Sequence, residues 1–335
     1  MALVTVVIPN FNGLKYLDGC LNALSKQVEK TPEFEVLVID NGSKDGSAEF
    51  LKGYRVPETA YSFCGFEPVF LDENTGFCHA VNVGIQKSVS PFVILLNNDT
   101  EVYPDFVLNL CESLLGDENK KIFSGSSMML AWDDENVIDD CGDRYTVLGW
   151  AYGRGKGKNR KDFERPCDTF SACGGAAIYR REVFEKIGLF DESHFAYFED
   201  LDIGYRALIK GYKNIFVPGA KVKHFGSAAS GSRYNAFKAG LSAENSVYVP
   251  FKNMPLLQYL INLPFLVMGS LVKLLFYTKK HLGREYALGL VKGVKKSFSK
   301  QGFSNKVFFN FKDLPNLIRI QFKLYLNTVL MVFKR

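Results

Sequence analysis

The sequence predicts an α/β fold with a mostly parallel central sheet, followed by an α-helical C-terminal tail, and three observations predict it. Over the first 125 residues short apolar runs alternate with helical patterns, the signature of strands joined by crossover helices. Polar clusters follow directly on three of those runs, where an open α/β sheet binds its ligands. The charge is also divided. Residues 245–335 hold 15 Lys or Arg against two acids, Glu285 and Asp313, a net of +13 that leaves −8 for residues 1–244 within the chain's total of +5. Body (1–244) and tail (245–335) therefore face different partners. At 335 residues and 47% hydrophobic content the chain can bury a large core, which excludes a disordered polymer.

The elements follow in order. Residues 1–8 are apolar but lack a basic leader and a cleavage site, so 3–8 is expected to be a first buried strand. Further strands are expected at 35–39, 68–71, 92–96 and 122–129, with helices at 14–27, 47–52, 80–87 and 104–115 in the gaps. Residues 130–170 are less regular. They hold an acidic run, Asp133-Asp134-Glu135, and a Gly/Lys stretch at 153–161 that suggests a mobile loop over the cleft and fails the phosphate-loop pattern because Gly157 follows Lys156. The seven cysteines are odd in number and never spaced C-x-x-C, which points to a reducing cytoplasm.

Three clusters should line one cleft: Pro9-Asn10-Phe11-Asn12, Asp40-Asn41-Gly42-Ser43 and Asn97-Asn98-Asp99. The second is also good turn chemistry. The third ends the apolar run Val93-Ile94-Leu95-Leu96 and places a carboxylate at the ligand-binding edge. Oxygen ligands on such a turn suit Mg2+ or Mn2+ carried in by a diphosphate. In Phe198-Glu199-Asp200-Leu201-Asp202, three carboxylates within four residues open a helix between aromatics. Capping needs only one of them, and a carboxylate walled by Phe195, Tyr197 and Phe198 can have its pKa raised into the range of a general base. His224, after an expected strand at 214–217, is either structural or a metal ligand.

Together, V-V-I-P-N-F-N, V-I-D-N-G-S, N-T-G-F-C-H-A-V-N-V-G-I, L-L-N-N-D-T-E-V, C-G-G-A-A-I-Y-R-R-E-V-F-E-K-I-G-L-F-D-E, F-E-D-L-D-I-G-Y-R and V-K-H, in this order, resemble glycosyltransferase family 2. The resemblance covers residues 3–226 and is closest to rhamnosyltransferase-like and galactofuranosyltransferase-like bacterial enzymes of cell-surface polysaccharide synthesis. It implies a GT-A fold, Rossmann-like in its sheet, and inverting transfer from a nucleotide sugar.

It also implies residue roles. Asp40 matches the carboxylate that reads a pyrimidine imide N–H, and Pro9, Asn10 and Asn12 match the loop around the base. Asn74, Gly76 and Asn82 match the segment beside ribose and phosphates. Asp99 matches the last acid of the D-x-D metal motif, beside Asn98, and His224 matches a histidine completing the metal shell. Asp200 matches the catalytic base. Gly174 and Gly175 match the meeting point of donor sugar and acceptor, and Glu199 orients the acceptor; Asp202 either does the same or caps the helix. Asn97 replaces the first acid of D-x-D, which removes one negative charge from the metal site.

In the tail, Gln258, Asn262, Gly269, Lys273, Lys280 and Arg284 form one polar stripe on an otherwise apolar helix broken near Pro264, and Lys312, Asn316, Arg319, Lys323 and Asn327 repeat the theme. That pattern fits a helix lying in a membrane interface or packed on a partner, or a helical subdomain with a basic outer face. The expected partners are a nucleotide sugar, a lipid-linked saccharide and an anionic membrane surface, placing the chain peripherally at the inner face of the cell membrane; a homo-oligomer is compatible with the sequence. Two readings compete: a family 2 transferase using a UDP-sugar such as UDP-galactofuranose or UDP-hexose, and a non-catalytic protein that binds membrane or nucleic acid through its tail. The acidic body disfavours nucleic acid.

Overall fold

The computed structural model describes residues 2–226 and 234–333; Lys334 and Arg335, counted in the tail's charge, lie outside them. The strands are β1 (Val4–Asn10), β2 (Phe34–Asn41), β3 (Phe63–Leu71), β4 (Phe92–Leu96), β5 (Thr100–Val102), β6 (Ile122–Ala131), β7 (Ile138–Asp140), β8 (Asp143–Tyr145), β9 (Ala151–Gly153), β10 (Cys167–Thr169), β11 (Ala176–Arg180) and β12 (Lys213–His224). The α-helices are α1 (Leu14–Ser25), α2 (Ser47–Gly53), α3 (Phe77–Lys87), α4 (Phe106–Leu115), α5 (Arg181–Ile187), α6 (Glu199–Ile209), α7 (Ala236–Asn253), α8 (Leu256–Lys279), α9 (Gly283–Ser297), α10 (Lys300–Ser304) and α11 (Leu314–Phe333).

Continuous apolar runs such as Phe92-Val93-Ile94-Leu95-Leu96 fill strands buried on both faces, as a sheet covered by helices on either side requires. The main sheet runs β10-β12-β6-β11-β4-β1-β2-β3, with β5 on β12 and β7 on β6. Strands β4, β1, β2 and β3 are parallel neighbours, so the C-terminal ends of β1, β2 and β4 bring Asn10, Asp40 and the 97–99 turn to one edge. One core packs α1 and α4 on one face of the sheet, and a second packs α3, α5 and α6 on the other.

Two elements are longer than the sequence suggests. Strand β3 begins at Phe63, since the mixed run Phe63–Leu71 hides its first half. Strand β12 does not stop at Val217; Pro218 and Gly219 are absorbed in a register shift and the strand resumes to His224, which pairs with Thr100 beside Asp99. The 153–161 stretch is pinned rather than free: Gly157 N–H donates to Ile138 O, Ile138 N–H to Lys158 O, and Lys156 reaches Asp139.

The tail inverts the expected polarity. Of the polar stripes, Gln258, Asn262, Gly269 and Lys273 of α8 and Asn316, Lys323 and Asn327 of α11 face the protein, while Lys280, Arg284, Lys312 and Arg319 stay exposed and much of the apolar surface of both helices faces out. Gln258 and Asn262 bond Gln321 across the two helices, and Trp150 Nε1–H donates to Gly269 O. Asn316, Lys323 and Asn327 donate to Ile209 O, Thr169 O and Tyr145 O. Asn262 is fully buried, whereas Leu257 is 72% exposed and Phe322 71%. The expected break at Pro264 is absent: α8 runs through it. The boundary expected at 244/245 falls inside α7.

Candidate active site

At the donor end, Asp40 is buried at the end of β2. Its Oδ1 accepts from Asn10 Nδ2 (2.7 Å) and Ser43 Oγ (2.6 Å), while Oδ2 has only the long Ser43 N–H contact (3.3 Å) and keeps accepting capacity. Asn98 donates to Asn10 Oδ1 (2.6 Å), tying the ends of β4 and β1 together. Asn12, at φ 49°, receives Lys44 N–H on its side chain and places its own N–H on Ser43 Oγ. Pro9 and Asn10 are the last residues of β1. These residues form one hydrogen-bonded rim at the sheet's C-terminal edge.

The 74–76 turn is held by Asn41, a residue the sequence reading did not single out. Its amide bonds Asn74 Oδ1, Gly76 O, Thr75 N–H and the Thr75 hydroxyl. Gly76 must be glycine, because its φ is +90° and a Cβ there would lie 2.9 Å from Phe195 O. Asn82 plays a different part from the expected ribose and phosphate contact. It is buried, with its amide spent on Phe190 O, Glu192 Oε1 and Phe190 N–H, so it pins the 190–192 segment.

Register brings Asp99 and His224 together. His224 Nδ1 bonds Asp139 (2.7 Å) and its Nε2 lies 3.4 Å from Asp99 Oδ1. Burial opposes a charge on this imidazole, yet its bonds to Asp139 and Asp99 raise its pKa to about 9. Burial likewise opposes ionisation of Asp139, but hydrogen bonds from His224 and Lys156 hold it below the usual carboxylate range. An imidazole steered by one carboxylate to present its second nitrogen beside another is a fitting donor set for a divalent ion, which would displace the proton. Asp139 is absent from the sequence reading because it lies in the aperiodic 130–170 stretch.

Asp200, in the first turn of α6, lies against Gly174, where a Cβ would meet its Oδ1 at 2.6 Å. Next to it, Gly175 accepts Asn97 N–H through its carbonyl (2.8 Å). The glycine pair thus stands between Asp200 and the Asn97–Asp99 turn. Among the described residues, Asp200 Oδ1 and Glu199 Oε2 are buried without a hydrogen-bond partner, as acceptors awaiting a substrate hydroxyl would be. Burial and Glu199 raise the Asp200 carboxyl well above its ordinary range. Burial and Asp143 raise Glu199 to about 7, and burial and Asp200 raise Asp143 to about 7. Asp140, raised by burial and by Asp143, completes a carboxylate group whose β7–β8 half the sequence did not reveal.

Asp202 faces away from this cleft. Although it was expected to orient the acceptor or cap α6, it is fully buried between Arg206 and Lys252 (2.8 Å each), with Asn253 on its other oxygen. Burial opposes its ionisation, but Arg206 and Lys252 hold it far below the carboxylate range. Asp191, His194 and Asp202 cluster as metal ligands could, yet Lys252 Nζ stands 2.8 Å from both Asp191 and Asp202 and fills the cation position itself.

The chain is similar to known proteins in sequence and in fold. The family described as "Glycosyl transferase family 2" matches residues 5–188. An N-acetylglucosaminyl-diphospho-decaprenol L-rhamnosyltransferase of Mycobacterium tuberculosis is 26% identical over 68% of this chain and 78% of its own. Glycosyltransferase AglE of Haloferax volcanii is 35% identical over 30% of this chain, which spans only 31% of that relative. Among solved structures, the mannosyltransferase PcManGT from Pyrobaculum calidifontis, in complex with GDP-Man and Mn2+, aligns over 100% of this chain and 88% of its own at a TM-score of 0.52 and 16% identity. GalNAc-T7 with UDP, GalNAc and Mn2+ aligns over 74% of this chain and 47% of its own at 0.59 and 19%. The architecture is the GT-A fold, and the chain belongs to glycosyltransferase family 2.

Proposed function

We propose that the chain is an inverting transferase that moves rhamnose from dTDP-rhamnose to a lipid-linked saccharide at the inner face of the cell membrane. The observation that carries this reading is the placement of Asp200 at Gly174, across the Gly174-Gly175 pair from the Asn97–Asp99 turn. Inversion needs the acceptor hydroxyl on the face of the anomeric carbon opposite the departing diphosphate. Asp200 takes the hydroxyl proton, a role worth about 10² to 10⁴ in rate, and burial with Glu199 beside it raises its proton affinity above that of an ordinary carboxylate. Asp40, with an open Oδ2, supports pyrimidine recognition. Asp99 and His224 would hold Mg2+ or Mn2+, which when bound supplies positive charge against the leaving diphosphate. The mycobacterial relative supports the choice of sugar and acceptor class.

The exposed apolar sides of α8 and α11 support peripheral attachment. Leu257, Leu260, Leu271 and Leu275 on α8 and Phe322, Leu326 and Val332 on α11 face outward, with Lys279, Lys280, Arg284 and Arg319 also exposed. Helix α8 is long and apolar enough to cross a bilayer. Its polar stripe, however, is laid along the body from Gln258 to Lys273, so a helix in the plane of the interface fits better than a span.

The test is nucleotide release from a panel of dTDP- and UDP-sugars. We expect dTDP-rhamnose to be preferred, turnover to stop in excess EDTA and return with Mg2+ or Mn2+, and Asp200→Asn to lose about 10²-fold or more with donor affinity within a few-fold. Preference for a UDP-sugar would replace the donor, Asp200→Asn within tenfold of wild type would remove the base, and salt-dependent DNA binding without donor binding would favour a non-catalytic protein.

A further inference from the structure

The segment leading into Asp200 is backbone under strain. Phe195, Tyr197 and Phe198 all have positive φ (59°, 66° and 69°), a conformation disfavoured for residues with a Cβ. Such a path persists only where its surroundings over-determine it. On one side, Phe195 O accepts Phe77 N–H (2.8 Å) and its ring lies against Gly76. On the other stands Asn245 of α7, fully buried, with Nδ2 placed 3.1 Å from His194 O, 3.0 Å from Ala196 O and 2.8 Å from Tyr197 O.

Asn245 is itself fixed. Lys296 of α9 donates to its Oδ1 (3.1 Å) and to Glu244 (2.8 Å). Helix α9 can approach so closely because it presents glycines: a Cβ at Gly289 would lie 2.3 Å from Gly240 O, and one at Gly293 2.5 Å from Glu244 O. About two helical turns further along α7, Lys252 and Asn253 hold Asp202. Helix α7 therefore grips the base segment on both sides of Asp200.

We propose that Asn245 is a positioning residue for transfer: by holding the carbonyls of His194, Ala196 and Tyr197 it fixes the strained approach to α6 and thereby the Asp200 carboxylate against Gly174. This rests on the reading of Asp200 as the base. Removing the amide lets the segment relax and the carboxylate drift, while the donor rim at Asn10, Asp40 and Asn98 keeps its own hydrogen bonds. The loss belongs to kcat and spares donor binding.

The test is a double-mutant cycle on the full chain, read as single-turnover dTDP release from dTDP-rhamnose at high enzyme, with donor affinity by calorimetry. Asn245→Ala should lower the rate by roughly 10- to 100-fold, the scale of a misplacement near 1 Å, with donor affinity within twofold. In an Asp200→Asn background the same change should cost less than twofold, because the group it positions is gone. Should Asn245→Ala fail to fold, Lys296→Met, which leaves the amide but frees its oxygen, should still lower the rate a few-fold at unchanged donor affinity. The proposal is overturned by an equal loss in the Asp200→Asn background, by a loss of donor affinity in place of rate, or by unchanged rates in whichever variant folds. Failure of the base reading shows separately, as an active Asp200→Asn single variant.

Discussion

Gly174→Ala tests the placement of the base with a single methyl group. The added Cβ would stand 2.6 Å from Asp200 Oδ1 and 3.5 Å from Phe77 Cζ. A carbon and an oxygen rest in contact at about 3.3 Å, so the carboxylate must retreat by about 0.7 Å. Misplacement by 1 Å costs up to about 10²-fold in rate, so this retreat should cost about 10- to 50-fold, or about 1.4 to 2.3 kcal/mol of transition-state stabilisation. The fold should tolerate the change, because the atom displaced is the free end of a side chain and overpacking of this kind costs about 1 kcal/mol at its low end. The assay pairs dTDP release from dTDP-rhamnose with donor affinity and melting temperature. We expect the rate to fall while the other two stay near wild type. A rate within threefold of wild type would refute the placement of Asp200 as base, since the clash is set by backbone position.

Two further outcomes follow from the helical layer. With phosphatidylglycerol vesicles the protein should co-sediment at low salt and be only partly released by high salt, because screening weakens the Lys and Arg contribution but leaves apolar burial; Leu257→Asp with Phe322→Asp should weaken binding tenfold or more, and a wild-type protein that ignores these vesicles at low salt would sink the membrane reading. His194 provides a pH signature: it is fully buried with neither ring nitrogen hydrogen-bonded, its Nε2 standing 4.0 Å from Asp202, and burial lowers its pKa from 6.5 to about 4. The unfolded chain therefore takes up this proton first, so its contribution is present above pH 6.5 and is lost as pH falls toward 4, by about 3 kcal/mol. The raised carboxylates Glu199 and Asp143 act in the opposite direction over the same range. The quantity to measure is thus the stability difference between wild type and His194→Leu across pH, and a flat difference would contradict the assignment.

The meeting of Asn10, Asp40 and Asn98 at one edge was legible because local chemistry and position coincide there. Runs such as Val4–Asn10 and Phe92–Leu96 end in side chains that can only meet at the edge of a parallel sheet. Asp139, Asp140 and Asp143 were not legible, since each sits in or beside a three-residue strand with too few residues to show a period. The polar stripes of the tail were found, but periodicity reports only that two faces differ, not which is inside. Asn262 and Asn327 are inward because each finds a partner on the protein side, Gln321 and the Tyr145 carbonyl, and those partners lie 59 and 182 residues away. Asn82 and Asp202 had suitable types at suitable spacing, and what separated them from the cleft was again long-range: Phe190 for one and Lys252 for the other.

These contacts bear on why the helices after residue 235 are more than an attachment device. The rim made by Asn10, Asp40, Ser43 and Asn98 closes on itself within the first hundred residues. The acceptor side does not. Its base segment depends on Asn245, the helix carrying Asp200 is tied through Asp202 to Lys252 and Asn253, and the β8–β9 hairpin that carries Asp143 is clamped between α8 and α11 by Trp150 and Tyr152. The same helices that turn apolar sides outward thus shape the half of the cleft that the proposed function assigns to the acceptor. On the proposed reading of an acceptor carried on a lipid this arrangement has a physical logic: the elements that would meet the bilayer set the position of Asp200, while the rim of Asn10, Asp40, Ser43 and Asn98 is held by the sheet edge.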